Sequence, residues 1–233
     1  MGASLSSRSA RVIDLETVRR RHQAQKQLVR LAPELDGLEM LYQLDTDTET
    51  GYSLPVLAWG LHQDGSVDGL VPWMATLTPC PHINSEENGR FIGYRDPETE
   101  EIFTAPPEHK YDELQAAATY FEYESSSEVT LIQQLPDTQG THALCMDTPH
   151  TPWQMKPVYG WSLYSDGSVD ALLADEQQAI MTPVLLGDEC LYNARSRHPR
   201  LYFFQRHIAN RIMEEDPATL DALALIVVPQ GDS

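Results

Sequence analysis

PVLAWGLHQDGSVDGLV, residues 55–71, and PVYGWSLYSDGSVDALL, residues 157–173, are the two stretches on which the fold turns. They align without a gap at an offset of 102, and ten of the 17 positions are identical. Pro55, Val56, Trp59, Leu61, Asp64, Gly65, Ser66, Val67, Asp68 and Leu70 recur as Pro157, Val158, Trp161, Leu163, Asp166, Gly167, Ser168, Val169, Asp170 and Leu172. Fainter echoes follow, Thr78-Pro79 with Thr182-Pro183, and Arg95 and Pro97 with Arg197 and Pro199. A match this dense reads as an internal duplication.

The Asp-Gly step inside each copy marks a β-hairpin. A two-residue turn would pair Leu61 with Asp68 and put a carboxylate on the Trp59/Leu61 face. A type I turn with Gly65 as a left-handed bulge pairs Leu61 with Val67 instead. Since a slip of one residue reverses every side chain, the register with the cleaner partition is expected. Trp59, Leu61 and Val67 then face inward, as do Trp161, Leu163 and Val169. His62, Ser66 and Asp68 face outward in the first copy, and Tyr164, Ser168 and Asp170 in the second.

Around the hairpins, helical residues from Asp14 to about Leu31 predict an N-terminal helix with an interrupted apolar stripe, closed by Pro33 and Gly37. Strands are expected at 38–44, 76–83, 91–94, 101–103, 129–135, 141–146 and 178–186. Helices are expected at His109–Tyr123 and, amphipathic, at Leu201–Glu215, and a helix or strand from Pro217 to Val228. The fold class is therefore α+β: internally duplicated, antiparallel β-hairpin units each followed by a helix, packed as one pseudo-symmetric domain. Its expected parts are a disordered tail (1–10), a helical arm (11–36), and two α+β halves (37–127 and 128–233).

Composition narrows the function. The 233 residues carry a formal net charge of −19, a field that repels nucleic-acid backbone and anionic membranes. Cations gather at Arg8, Arg11, Arg19, Arg20, Arg21, Lys26 and Arg30, and again at Arg195, Arg197, Arg200, Arg206 and Arg211. Between Glu34 and Glu189 only Arg90, Arg95, Lys110 and Lys156 interrupt the acidic run. Both basic segments are expected to lie against the acidic body of the fold or of a sister chain. Cys80, Cys145 and Cys190 have no close-spaced partner, which fits a reducing compartment. With no apolar leader at the start and no membrane-length apolar run, the expected location is cytoplasmic.

Candidate ligand-binding residues are His62, Asp68, Tyr164 and Asp170, the outward positions that could form a carboxylate pair across a pseudo-twofold axis. Cys80, His82, His142, Cys145 and His150 supply soft donors of the kind zinc prefers, but at poor chelate spacing, so no metal and no cofactor are expected. No nucleophile elbow, phosphate loop, dinucleotide fingerprint or zincin helix occurs, and whether the chain is an enzyme stays open on the sequence. The reading these features favour is a non-catalytic binding or regulatory protein. It would present a pseudo-symmetric β surface to a protein or small ligand, with a protein partner or a homodimer formed through the N-terminal helix. The alternatives are an enzyme, a hydrolase for example, with its site between the halves, and an acidic nucleic-acid mimic.

Overall fold

A computed structural model of the chain describes residues 27–43, 51–73, 75–83, 90–117, 129–148, 150–175 and 184–225. The first half runs β1 (Leu28–Pro33), β2 (Glu39–Gln43), β3 (Gly51–Pro55), β4 (Ala58–His62), β5 (Val67–Trp73), β6 (Thr76–Pro79), a 3₁₀ turn (Cys80–His82), β7 (Arg90–Arg95), β8 (Ile102–Phe103) and α1 (Glu108–Ala116). The second runs β9 (Leu131–Pro136), β10 (Thr141–Met146), β11 (Gln154–Pro157), β12 (Gly160–Tyr164), β13 (Val169–Ala174), β14 (Leu191–Asn193), the one-turn α2 (Ala194–Arg197), β15 (Arg200–Gln205), α3 (Arg206–Glu214) and α4 (Pro217–Leu225). The chain is thus an α+β protein dominated by antiparallel sheets.

The Asp-Gly-Ser turns close both hairpins in the bulged register. Leu61 pairs with Val67 and Leu163 with Val169. Gly65 and Gly167 take φ of 83° and 82°, the left-handed conformation that a Cβ penalises. In each turn the aspartate accepts two bonds from the serine. Asp64 Oδ1 takes Ser66 N at 2.9 Å and Oγ at 2.6 Å, and Asp166 Oδ1 takes Ser168 N and Oγ at the same distances.

Each hairpin lies at the centre of a four-stranded sheet with the same sequence-relative order, β1-β4-β5-β6 and β14-β13-β12-β9 read in reverse. The pairing of the outer strand is also alike. Ala32 lies opposite Trp59 and Leu135 opposite Trp161, and each strand bulges once, between Leu28 and Arg30 or opposite Leu163/Tyr164. A second sheet lies over each hairpin sheet, β3-β2-β7-β8 in the first half and β11-β10-β15 in the second. Between each pair of layers sits a fully buried tryptophan. Trp59 meets Tyr94 at 4.8 Å between ring centroids, and Trp161 meets Phe203 at 4.9 Å.

The halves stack unequally. Leu28, Leu31, Ala58, Leu70 and Leu77 share one face of β1-β4-β5-β6, turned away from Trp59. They belong to the same buried cluster as Trp161, Leu163, Val169, Leu201 and Phe203. The first half therefore lays the back of its hairpin sheet onto the core of the second. Gln133, on the Leu163 side of β9, fastens the contact: its amide accepts from Leu31 N at 2.7 Å and donates to Leu31 O at 2.6 Å. The Trp59 core of the first half is a separate cluster with Met40, Tyr42, Tyr94 and Leu114.

Several expectations change. Residues 28–31, read as the end of a helix, form part of strand β1, because Leu28 and Leu31 are buried by the second half and Arg30 reaches α1; residues 14–26 of that helix lie outside the described residues. The expected helix Leu201–Glu215 begins as a strand, β15. Tyr202 and Phe203 are buried within it, as fits an aromatic run on a half-covered pleat, and only from Arg206 does the chain turn helical. The central helix starts at Glu108, and of its expected span the residues from 118 on lie outside the described ones. So does most of the strand expected at 178–186, whose last residues, 184–186, form no strand. The echo of Arg95 in Arg197 is not a structural one, since the strand pairings put Tyr94 and Phe203 in corresponding places.

Candidate functional site

The outward face assigned to the hairpins is not one surface. His62 is buried on the first sheet's covered back face, where its Nε2 lies 3.1 Å from Asp68 Oδ2. The hairpin register leaves this face free only in a lone sheet; here the second half covers it. Tyr164 and Asp170 occupy the corresponding positions of the second hairpin sheet, whose back face is lined differently. The four residues come together as two separate pairs.

Around Tyr164 lies a cleft of about 240 Å³, lined by Leu131, Gln134, Ser162, Tyr164, Leu172 and Asn193 among others. By strand pairing, Leu131, Gln134, Ser162, Tyr164 and Leu172 stand where the first half has Leu28, Leu31, Gly60, His62 and Leu70. One set is sealed by the neighbouring half. The other opens as a cleft.

Its polar groups are partly committed. Asp170 Oδ1 accepts from Ala171 N at 2.9 Å and Oδ2 from Arg195 N at 3.2 Å, with Arg195 Nε 3.9 Å away. Burial raises the Asp170 pKa above the ordinary carboxylate value, and Arg195 opposes the shift. Arg195 also donates to Ala75 O at 2.8 Å, which ties this edge to the first half. Burial pushes the Tyr164 phenol up and the Asp170 charge pushes it further, while hydrogen bonds from Ser162 and Asn193 pull it back. Tyr164 is therefore an uncharged hydroxyl at neutral pH. Gln134 Nε2 donates to Ser162 Oγ at 3.4 Å. The buried Asn193 Oδ1 has no hydrogen-bond partner among the described residues.

Beside the cleft, Tyr192 OH lies 3.0 Å from His198 Nε2, and His198 Nδ1 lies 2.6 Å from Asp147 Oδ1. Arg197 stacks over the Tyr192 ring at 3.8 Å. Arg195 and Arg197, the first two cations of the second basic cluster, are thus engaged within the chain.

The sulfur and imidazole donors do not converge. Cys80 is buried in the Trp59 cluster and Cys145 in the Trp161 cluster. None of Cys80, His82, His142, Cys145 and His150 belongs to a set of three with metal-binding spacing among the described residues. Burial, with the Asp68 charge second, drives the Cys80 thiol well above its ordinary value, the opposite of what a nucleophile needs. Asp36, His109 and Glu113 do bring ligand atoms within 4.8 Å of one another. Lys110 Nζ, however, already sits 2.6 Å from Asp36 and 3.2 Å from Glu113.

One pair of residues escaped the sequence reading. Trp59 Nε1 donates to Glu34 Oε2, and Trp161 Nε1 donates to Asp137 Oδ1 at 3.1 Å. Each carboxylate also takes a backbone N–H from the start of the next segment, Leu38 N at 3.2 Å and Thr141 N at 2.9 Å. The signal was present: LVRLAPELDG (28–37) aligns with LIQQLPDTQG (131–140) at an offset of 103, with Leu, Pro and Gly identical and Glu34 against Asp137.

No known protein family, curated protein or solved structure matches the chain. No helix among the described residues is long and apolar enough to cross a membrane.

Proposed function

We infer that the chain is a non-catalytic binding protein built from two copies of one β unit, and that the back face of the second hairpin sheet receives its ligand. The observation carrying this reading is the unequal fate of equivalent faces. Leu28, Leu31 and Leu70 are covered by the other half, whereas Leu131, Gln134, Ser162 and Leu172 line a cleft. Shared strand order, shared bulges and the paired Trp–carboxylate bonds support descent of both halves from one unit. A concave site with apolar walls and a few polar groups is the usual form of a small-ligand site. A buried Cys80 held as a thiol, and a His62 sealed away from the cleft, favour binding over catalysis.

The test is a titration of the labelled protein with a chemically mixed set of small fragments, read by amide NMR shifts. Some fragments are expected to move residues 160–164 and 169–173, and to lose that effect in Ser162→Phe, which fills the cleft. If no fragment of any chemistry moves those residues, the binding reading is wrong.

A further inference from the structure

The chain leads into β1 from a point beside the cleft. Gln27 Nε2 donates to Ser165 O at 2.7 Å, and Ser165 follows Tyr164, which lines the cleft. Gln27 also packs on the same turn, since a Cβ on Gly167 would lie 2.5 Å from Gln27 Cγ. Its carbonyl accepts from Gln63 N at 2.8 Å, so Gln27 is held between the ends of the two hairpins. Residues 14–26, which lie outside the described ones, therefore connect to a fixed point next to the cleft.

Shape and charge of that segment match the cleft. Leu15 and Val18 are spaced three apart, which puts them on one face of the helix these residues predict. Leu131, Leu172 and Leu191 give the cleft apolar walls, and its volume of about 240 Å³ admits an aliphatic side chain or two. At the rise of a helix Val18 stands about 14 Å and Leu15 about 18 Å from Gln27. Ser162 lies about 10 Å along its strand from Ser165, so both side chains reach. Before Gln27 the chain has six Arg and Lys residues against Asp14 and Glu16, and from Gln27 on it has ten against 33 Asp and Glu. Asp188 lines the cleft, Glu189 follows it and Asp166 stands in the turn after Tyr164; all three are exposed. Arg195 is engaged with Asp170 and Ala75 O. Arginines of the segment thus meet an acidic rim.

We propose that residues 14–26 of the chain itself dock as a helix on the back face of the second hairpin sheet, with Leu15 and Val18 in the cleft and Arg19, Arg20 and Arg21 along its acidic rim. A ligand of the cleft then competes with the chain's own arm, a regulation that rests on the binding reading above. The docking itself follows from the position of Gln27, the reach of the segment and its charge. It gives the second back face the cover that Leu28, Leu31 and Leu70 of the first receive from the other half.

Paramagnetic broadening in the full chain tests it. Cys80 and Cys145 are buried, so Cys190→Ser with Ala10→Cys leaves position 10 as the site for a nitroxide label. Amides of residues 162–164, 172 and 187–191 are expected to broaden more than those of 63–66, the first hairpin turn, which also borders Gln27. Arg19→Glu with Arg20→Glu and Arg21→Glu is expected to abolish the difference, and so is high salt. Fragments that move residues 160–164 are expected to bind this triple variant roughly ten-fold more tightly than wild type, as for a cleft the arm fills about nine-tenths of the time. Equal broadening of the cleft and of residues 63–66 overturns the proposal. So does broadening of the cleft in an isotope-enriched, unlabelled chain mixed with a spin-labelled, unenriched one, which assigns the cleft to the arm of a second copy. If the label shows no preference while fragments bind wild type and triple variant alike, the arm is wrong and the binding site stands. If the label marks the cleft while no fragment of any chemistry binds even the triple variant, the docking stands and the binding reading falls.

Discussion

Glu34 is buried completely, yet it holds the Trp59 indole, the backbone N–H groups of Asp36 and Leu38, and the ammonium of Lys110 at 3.1 Å. Burial works against the charge on Lys110, but Asp36, Glu34 and Glu113 outweigh it and raise its pKa above the ordinary lysine value. Asp137 does the same for Trp161, with no lysine paired to it among the described residues. Glu34→Ala leaves the Trp59 indole and two backbone N–H groups without their acceptor and takes one of three carboxylates from Lys110, which keeps Asp36 and Glu113, so it should cost about 2–4 kcal/mol. Asp137→Ala, which loses hydrogen bonds only, should cost about 1–3 kcal/mol. Urea unfolding midpoints compare the two, and equal losses would mean that the indole bond, not Lys110, carries the weight. His198 makes a second prediction. Burial holds its pKa below the ordinary 6.5, while Asp147 pulls it upward. The unfolded chain then takes up a proton before the folded one, so this contribution is complete above about pH 6.5 and lost as pH falls through the depressed folded value. Wild-type Tm should therefore drop more between pH 7.5 and 5.5 than that of His198→Gln; parallel curves would rule the histidine out as the cause.

At the scale of elements, the hairpin turns explain most of the identity between the two 17-residue stretches. Asp, Gly and Ser make the turn, while Trp, Leu and Val fill the layer beneath. The same turn nonetheless works in two settings. A Cβ on Gly65 would meet nothing within 4 Å, whereas one on Gly167 would lie 2.5 Å from Gln27 Cγ and 3.0 Å from Leu28 N. Gly65→Ala should cost about 1–2 kcal/mol, the strain of a left-handed alanine. Gly167→Ala should cost clearly more, because the backbone entering β1 has to move. Thermal unfolding of the two variants reads the difference, and equal costs would show that the Gln27 contact contributes nothing. Strand β1 itself illustrates why local reading failed there. Its residues follow a run of good helix formers, but Leu28 and Leu31 are buried by a sheet more than 100 residues away, and propensity yields to that burial.

At the scale of the whole molecule, the halves share a core, and this predicts one cooperative transition. Calorimetry should give a single peak with equal calorimetric and van't Hoff enthalpies, and Leu31→Ala should lower its midpoint at a cost of about 2–5 kcal/mol. Two separated peaks would mean that the halves fold alone. The covering of each half is also decided at this scale. Arg30 donates to Leu114 O at 3.1 Å and Gln115 O at 2.8 Å and so receives α1, while its counterpart Gln133 receives strand β1. Helix α1 thus lies over the first half where the first half lies over the second. By itself the sequence determined the two hairpins, their bulged register and the tryptophan faces, because a turn type and a period-two pattern are local and each register error would bury a carboxylate. Only the tertiary structure decided which equivalent face is sealed and which forms the cleft. A back face carrying Leu28, Leu31 and Leu70 and one carrying Leu131, Gln134, Ser162 and Leu172 differ by a few side chains, and whether either meets water depends on which half lies against it. His62 and Tyr164 occupy the same place in the pattern, yet one is sealed beside Asp68 and the other is the wall of a candidate site.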